Sequence, residues 1–279
     1  MSDLLAFTYP EHLRACAREL PDAPGVYVFH GEEGDTLPLY IGKSVRIRSR
    51  VLSHLRNPEE ARLLRQARRI SYTLTGGEVG ALLLESRLIK QLQPLHNRRL
   101  RASRQLYAWR WQDGTAAQLN LIHAGELDFA RTPGLFGLYR SRHAALEHAH
   151  ELADRHSLCL QAIGMERGRP DRPCFRHAIR RCAGACCGQV AAVDHAQAWR
   201  QALEAVRVHC WPFPGAVGLE ERHEGVRQVH VVRDWCYLGS EPTLAAARRL
   251  TRIQARYDVD SYRILVAPLL DPAAPLLHL

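Results

Sequence analysis

The sequence predicts a mixed α+β protein, and three observations carry that reading. Pro24-Gly25-Val26-Tyr27-Val28-Phe29 and Leu39-Tyr40-Ile41-Gly42-Lys43-Ser44 are short apolar, aromatic runs on either side of Gly31-Glu32-Glu33-Gly34-Asp35, the pattern of two strands and a turn. Segments with helical apolar spacing follow at 44–55 and 78–93. Beyond residue 190 the alternation returns, with helix-like stretches at 197–209 and 244–254 and strand-like runs at 226–232, 235–238 and 262–266.

The first helix is expected within residues 10–20, where Leu13, Ala17 and Leu20 share a face before Pro21-Asp22-Ala23-Pro24 stops it. After the hairpin, the helix at 44–55 places Ile47, Val51 and Leu55 toward a core. Arg46, Arg50 and His54 repeat with the same spacing on a second face about 100° away. Pro58-Glu59-Glu60 opens another helix running to Arg68, acidic at its start and basic at its end, as the helix dipole prefers. Ile70-Ser71-Tyr72-Thr73-Leu74-Thr75 is a third strand, broken by Gly76-Gly77. The helix at 78–93 carries Leu82, Leu83, Leu84, Leu88 and Ile89, with Glu85 in the middle of the apolar run. A carboxylate there is costly unless it is paired, coordinated or at the wet edge of the helix.

In the middle of the chain, 106–111 and 118–122 read as strands and 144–158 as a helix. Tyr107, Trp109 and Trp111 could stack on bases, but their strand spacing favours a core. Five segments result: an N-terminal helix at 1–21, a first domain at 22–100, a mixed region at 101–158, a cysteine-rich segment at 159–190 and a small α+β unit at 191–279.

Charge narrows the function. The 279 residues carry a formal net charge of +9 and a pI of about 9.4, which favours an anionic partner such as nucleic acid. Nine Lys and Arg side chains fall between Lys43 and Arg69, against Glu59 and Glu60 only. Arg46, Arg48, Arg98, Arg99 and Arg101 are candidate phosphate contacts; for Arg46 and Arg48 a solvated basic face is an equal alternative. The chain shows neither a basic, apolar leader nor a membrane-length apolar run, so a soluble cytoplasmic protein with no membrane partner is expected. In a reducing compartment its eight cysteines point to metal before disulfides.

Gly25-Val26-Tyr27, Tyr40-Ile41-Gly42-Lys43, Arg50, Glu85 in Ala81-Leu82-Leu83-Leu84-Glu85, and Asn97 occur in the order and spacing of the GIY-YIG nuclease domain. The chain resembles the UvrC family of that class, and within it the Cho group of short UvrC homologues. The resemblance implies a small three-stranded sheet flanked by helices at 22–100. It makes Tyr40 the general base toward the attacking water and Lys43 the cation that keeps that phenol acidic. Arg50 would hold the scissile phosphate, Glu85 would bind Mg²⁺ (or Mn²⁺), Tyr27 would position groups and Asn97 would orient the site. Where UvrC proteins usually carry another tyrosine, this chain has His54, which can bond phosphate or exchange protons, or stand as a spectator.

Cys159, Cys174, Cys182 and Cys186 are separated by fourteen, seven and three residues. The stretch from Pro173 to Cys187 is similar to a cysteine motif downstream of the UvrC nuclease domain, associated there with an iron–sulfur cluster. Four thiolates suit a 4Fe–4S cluster or zinc alike, and Cys187 is an alternative to Cys159. Arg172, Arg176, His177, Arg180 and Arg181 would extend a phosphate-binding surface. By resemblance the protein is a monomeric endonuclease of nucleotide excision repair. It would cut on the 3′ side of a lesion in double-stranded DNA marked by UvrA and UvrB. The alternatives are a stand-alone GIY-YIG nuclease on branched DNA and a non-catalytic DNA-binding module.

Overall fold

The computed structural model describes residues 10–97, 106–113, 117–123, 125–169, 172–252 and 257–279. The chain divides into two compact units, 1–102 with 213–279, and 103–212.

The first unit begins with α1 (Glu11–Glu19), which buries Leu13 and Ala17. Strand β1 (Gly25–His30) lies at the centre of a sheet ordered β2-β1-β3, antiparallel on both sides to β2 (Tyr40–Ser44) and β3 (Arg69–Leu74). Its side chains alternate. Tyr27 and Phe29 face the cluster formed with Leu13, Ala17, Ile47, Val51, Leu55 and Leu64. Val26 faces the other way, onto Ile41 and Ile89. Helices therefore cover both faces of the sheet.

Helix α2 (Ile47–Leu55) starts three residues later than the spacing predicts, because Ser44 stays in β2 and its Oγ accepts Arg46 N–H at 2.9 Å. A nine-residue helix is marginal alone. Burial of Ile47, Val51 and Leu55, each worth about 2 kcal/mol, holds it. The next segment is shorter than expected: a 3-10 turn at Pro58–Glu60 leads into α3 (Ala61–Gln66). Helix α4 (Glu78–Leu92) matches its expected span.

The second unit holds β4 (Tyr107–Gln112), β5 (Gln118–His123) and β6 (Leu135–Tyr139), in sheet order β5-β4-β6. Over them packs α5 (Arg142–Arg155), whose N-cap Ser141 accepts Ala144 N–H. Trp109 and Trp111 are buried, and their indole N–H groups donate to Ala145 O at 3.1 Å and Asp113 Oδ1 at 3.0 Å. They are core residues. Tyr107 is half-buried beside His123. The short α6 (Phe175–Ala178) carries the cysteine segment. Helix α7 occupies Ala192–Leu203 rather than 197–209: Trp199 and Leu203, one turn apart, are buried, while a 3-10 turn at Glu204–Val206 ends it.

Residues 213–279 return to the first unit with a sheet ordered β10-β7-β8-β9. Its strands are β7 (Val217–His223), β8 (Val226–Arg233), β9 (Cys236–Glu241) and β10 (Leu276–His278). Helix α8 (Leu244–Leu250) is capped by Thr243. The expected last strand at 262–266 is instead part of α9 (Val259–Leu270). Asp258 caps that helix through Ser261 N–H at 3.0 Å, and Val259, Tyr262, Leu265 and Leu269 bury one helical face. A five-residue apolar run fits either period, and the cap plus the longer spacing decide for helix. Among the described residues no helix is long and apolar enough to cross a membrane.

Candidate active site

The site forms where β1, β2, α2 and α4 meet. Gly42 lies opposite Tyr27 in the β1–β2 register, and a Cβ there would stand 2.4 Å from Tyr27 Oη and 2.8 Å from Tyr40 Cε1. Glycine is needed so that the two phenols can crowd over the strand. Asn97 fixes β2 from the other side. Its Oδ1 accepts Ile41 N–H at 2.9 Å and its Nδ2 donates to Ile41 O at 2.8 Å, so the amide satisfies both backbone groups next to Tyr40.

Glu85, half-buried on α4, accepts Lys43 N–H at Oε1, 2.9 Å away. Burial raises its pKa, opposed by that N–H and by the Lys43 charge. Its other oxygen accepts no hydrogen bond among the described residues. A half-buried carboxylate with one oxygen thus free of hydrogen bonds is a hard oxygen donor that suits a divalent cation such as Mg²⁺.

Lys43, expected to acidify Tyr40, instead turns its ammonium to Glu78 Oε1 at 2.6 Å. Arg50 is the cation that opposes the rise in the Tyr40 pKa. Burial causes most of that rise, and the Glu85 and Glu60 charges add to it. Burial likewise pushes Tyr27 well above its ordinary value, with Arg50 again opposing. Arg50 itself is exposed at the surface of α2.

His54 departs most from the expected polar helix face, being only 3% exposed. Its Nε2 lies 2.6 Å from Tyr27 Oη, its Nδ1 meets the Glu60 carboxylate, and its ring stands 5.5 Å from that of Tyr40. It is a buried hydrogen-bonding partner rather than a residue of an exposed polar face. Glu60 was legible only as an acidic first-turn residue, and the available signal was Asn57-Pro58, a cap that folds the chain back toward the preceding helix.

Arg46 pairs with Asp22 at 3.2 Å and Arg48 donates to Leu20 O, both at the exposed surface. Arg98, Arg99 and Arg101 lie outside the described residues.

In the second unit the Sγ atoms of Cys159, Cys174, Cys182 and Cys186 lie within 4.8 Å of one another. All four residues are buried. Cys174 N–H donates to Cys186 Sγ and Gly184 N–H to Cys182 Sγ, both at 3.3 Å. Burial raises the Cys159 thiol. For Cys186, burial is outweighed by donors from Cys174, so its pKa falls. Cys187 stands outside the group, its Sγ turned to Gly184 O at 3.4 Å. Four converging sulfurs with amide donors fit a tetrathiolate metal or cluster, and the donor set does not choose between zinc and iron–sulfur. Arg176 is spent on Asp154 at 2.5 Å, and Arg181 approaches the same carboxylate at 3.6 Å.

Comparison with known proteins matches residues 23–98 to the UvrC-like GIY-YIG domain. Residues 107–205 match the UvrC/Cho excinuclease middle domain, and 216–279 match the excinuclease Cho C-terminal domain. Excinuclease Cho of Escherichia coli K12 is 52% identical over 264 residues, covering 95% of this chain and 88% of the relative. The Salmonella typhimurium protein of the same name is 49% identical over 273 residues, covering 98% and 92%. Among solved structures, the magnesium-bound GIY-YIG domain of Thermotoga maritima UvrC is 31% identical, covers 31% of this chain and 97% of its own, and has a TM-score of 0.29. The chain belongs to the UvrC/Cho excinuclease family and is a GIY-YIG DNA endonuclease.

Proposed function

We propose that the protein makes the incision on the 3′ side of a lesion in duplex DNA that UvrA and UvrB have marked. The observation that carries the reading is the convergence on one strand, β2, of the Tyr40 phenol, the Arg50 guanidinium beside it and the Glu85 carboxylate anchored on Lys43 N–H. Tyr40 takes the proton of the attacking water. Arg50 holds the scissile phosphate and offsets charge developing on its oxygens. Glu85 holds the divalent cation, which supplies Lewis-acid stabilisation of the leaving 3′ oxygen when bound. Tyr27 and Asn97 position these groups, and Lys43 with Glu78 keeps α4 against β2. Arg46 and Arg48, with Arg98, Arg99 and Arg101, contact the backbone without reading sequence, as a repair nuclease requires. The four cysteines hold a structural metal or cluster.

The test is a lesion-containing duplex incubated with Mg²⁺, with and without UvrA and UvrB, for the native protein, Glu85→Ala and Tyr40→Phe. A 3′ nick that needs the partners and disappears in both variants supports the reading. Equal cutting by Glu85→Ala would remove the metal assignment, and cutting of branched DNA without partners would favour the stand-alone nuclease.

A further inference from the structure

Tyr40 has a difficulty as a base: burial and two nearby carboxylates disfavour its phenolate. A route for its proton lies behind it. Tyr27 Oη meets His54 Nε2 at 2.6 Å, with both residues nearly sealed from solvent. His54 Nδ1 meets Glu60 Oε2. Glu60 is steadied by Asn57, whose Nδ2 donates to Oε1 at 3.2 Å and whose Oδ1 accepts Glu59 N–H at 3.1 Å.

We infer that Glu60, His54 and Tyr27 form a directed proton relay serving Tyr40, with Glu60 as the positioning residue that sets its polarity. This rests on the reading of Tyr40 as the base. The direction follows from donor counting. A carboxylate only accepts, so the His54 proton sits on Nδ1. A neutral ring then leaves Nε2 as an acceptor, and Tyr27 donates its single hydrogen to it. The Tyr27 oxygen therefore presents only lone pairs to the site, where the Tyr40 ring, its centroid 6.2 Å from that of Tyr27, and the Arg50 charge lie beside it.

In the reaction, the attacking water gives a proton to Tyr40 Oη as the Tyr40 proton passes to Tyr27 and the Tyr27 proton passes to His54 Nε2. One proton leaves water and one arrives on His54; Tyr27 is unchanged. The imidazolium forms against the Glu60 carboxylate and is neutralised by it. After the cut the His54 proton returns to Tyr27 as Tyr27 passes its own to Tyr40 and Tyr40 releases one to solvent water, which resets the chain.

The groups facing His54 are Tyr27 from β1, Tyr40 from β2, Arg50 from its own helix, Glu60 from the following turn, and the Phe29 ring at 5.8 Å. Burial lowers the His54 pKa, keeping the ring neutral and able to accept; Glu60 opposes that fall and Arg50 adds to it.

The experiment combines imidazole nitrogen NMR on the full chain with single-turnover incision of a lesion duplex, in Mg²⁺ with UvrA and UvrB, across pH. His54 is expected to carry its proton on Nδ1. Glu60→Gln keeps that tautomer, because the amide oxygen still accepts, but loses the charge that stabilises the imidazolium. Its rate falls about tenfold with DNA affinity unchanged. Its acidic limb moves to lower pH, since Glu60 raises the affinity of His54 for a proton. Glu60→Leu loses the tautomer preference as well. A purely structural Glu60 would lower melting temperature and rate without moving the limb. A His54 proton on Nε2, or a Glu60→Gln protein with native rate and limb, overturns the relay. If Tyr40→Phe is inactive while Glu60→Gln behaves as native, the relay alone fails. If Tyr40→Phe cuts at the native rate, the tyrosine base fails and takes the relay with it.

Discussion

The Glu221 carboxylate on β7 accepts Gly80 N–H at 2.7 Å and Val79 N–H at 3.0 Å, closing the N-terminus of α4 from the far end of the sequence. His230 Nε2 holds the same carboxylate at 2.9 Å, and its Nδ1 meets Ser240 Oγ at 2.6 Å. At the other end of α4, Lys90 meets Asp258 at 2.7 Å and Asp260 at 3.1 Å. Residues 213–279 thus grip at both ends the helix that carries Glu78 and Glu85.

Replacing Glu221 by Gln should destabilise the first unit by about 2 kcal/mol, the scale of a charged hydrogen bond and a lost helix cap. Burial works to raise the Glu221 pKa, but His230 and the two amides outweigh it and hold it below its ordinary value of 4.5. A depressed carboxyl pKa gives stability that is present above pH 4.5 and is lost as pH falls through the folded pKa. Chemical denaturation across that acid range should show a steeper loss for the native protein than for Glu221→Gln.

Glu85→Gln keeps the shape and an acceptor for Lys43 N–H but removes the charge. Incision should fall at least about a hundredfold, and calorimetric binding of Mg²⁺ or Mn²⁺ should be lost while the melting temperature stays near native. Retained cation binding would move the metal site elsewhere.

Gly42→Ala should cost about 2 kcal/mol in stability and most of the incision rate. The added methyl would lie 2.4 Å from Tyr27 Oη and must push the phenol off His54 or off Tyr40. The loss should appear in kcat more than in DNA affinity.

Single serine replacements of Cys159, Cys174, Cys182 or Cys186 should each lower the metal content of anaerobically purified protein and its melting temperature. Cys187→Ser should do neither, because its sulfur points to Gly184 O rather than into the group. Metal analysis on the native protein separates zinc from iron with sulfide.

Much of the nuclease was legible from residue order. Tyr27, Tyr40, Arg50, Glu85 and Asn97 are spread along the chain, yet their spacing within strands and helices marks a site. The roles were less legible. Lys43 read as the partner of Tyr40, but its ammonium reaches Glu78, a residue distant in sequence. His54 read as a polar-face residue because its helical phase matches Arg46 and Arg50. The 3-10 turn at Pro58–Glu60 covers that end of α2, and burial makes His54 a hydrogen-bonding partner rather than a surface group.

By itself the sequence determined what is local: the strand–turn–strand of β1 and β2, the apolar faces of α1, α2 and α4, the cysteine spacing, and the residue types at the site. The tertiary structure decided which charges meet. It set Glu60 on His54, Glu78 on Lys43 and Glu221 on α4. Period and capping act over a few residues and leave a signature there. Ion pairs and helix docking form between segments far apart in the chain, where only the folded path brings the partners within reach.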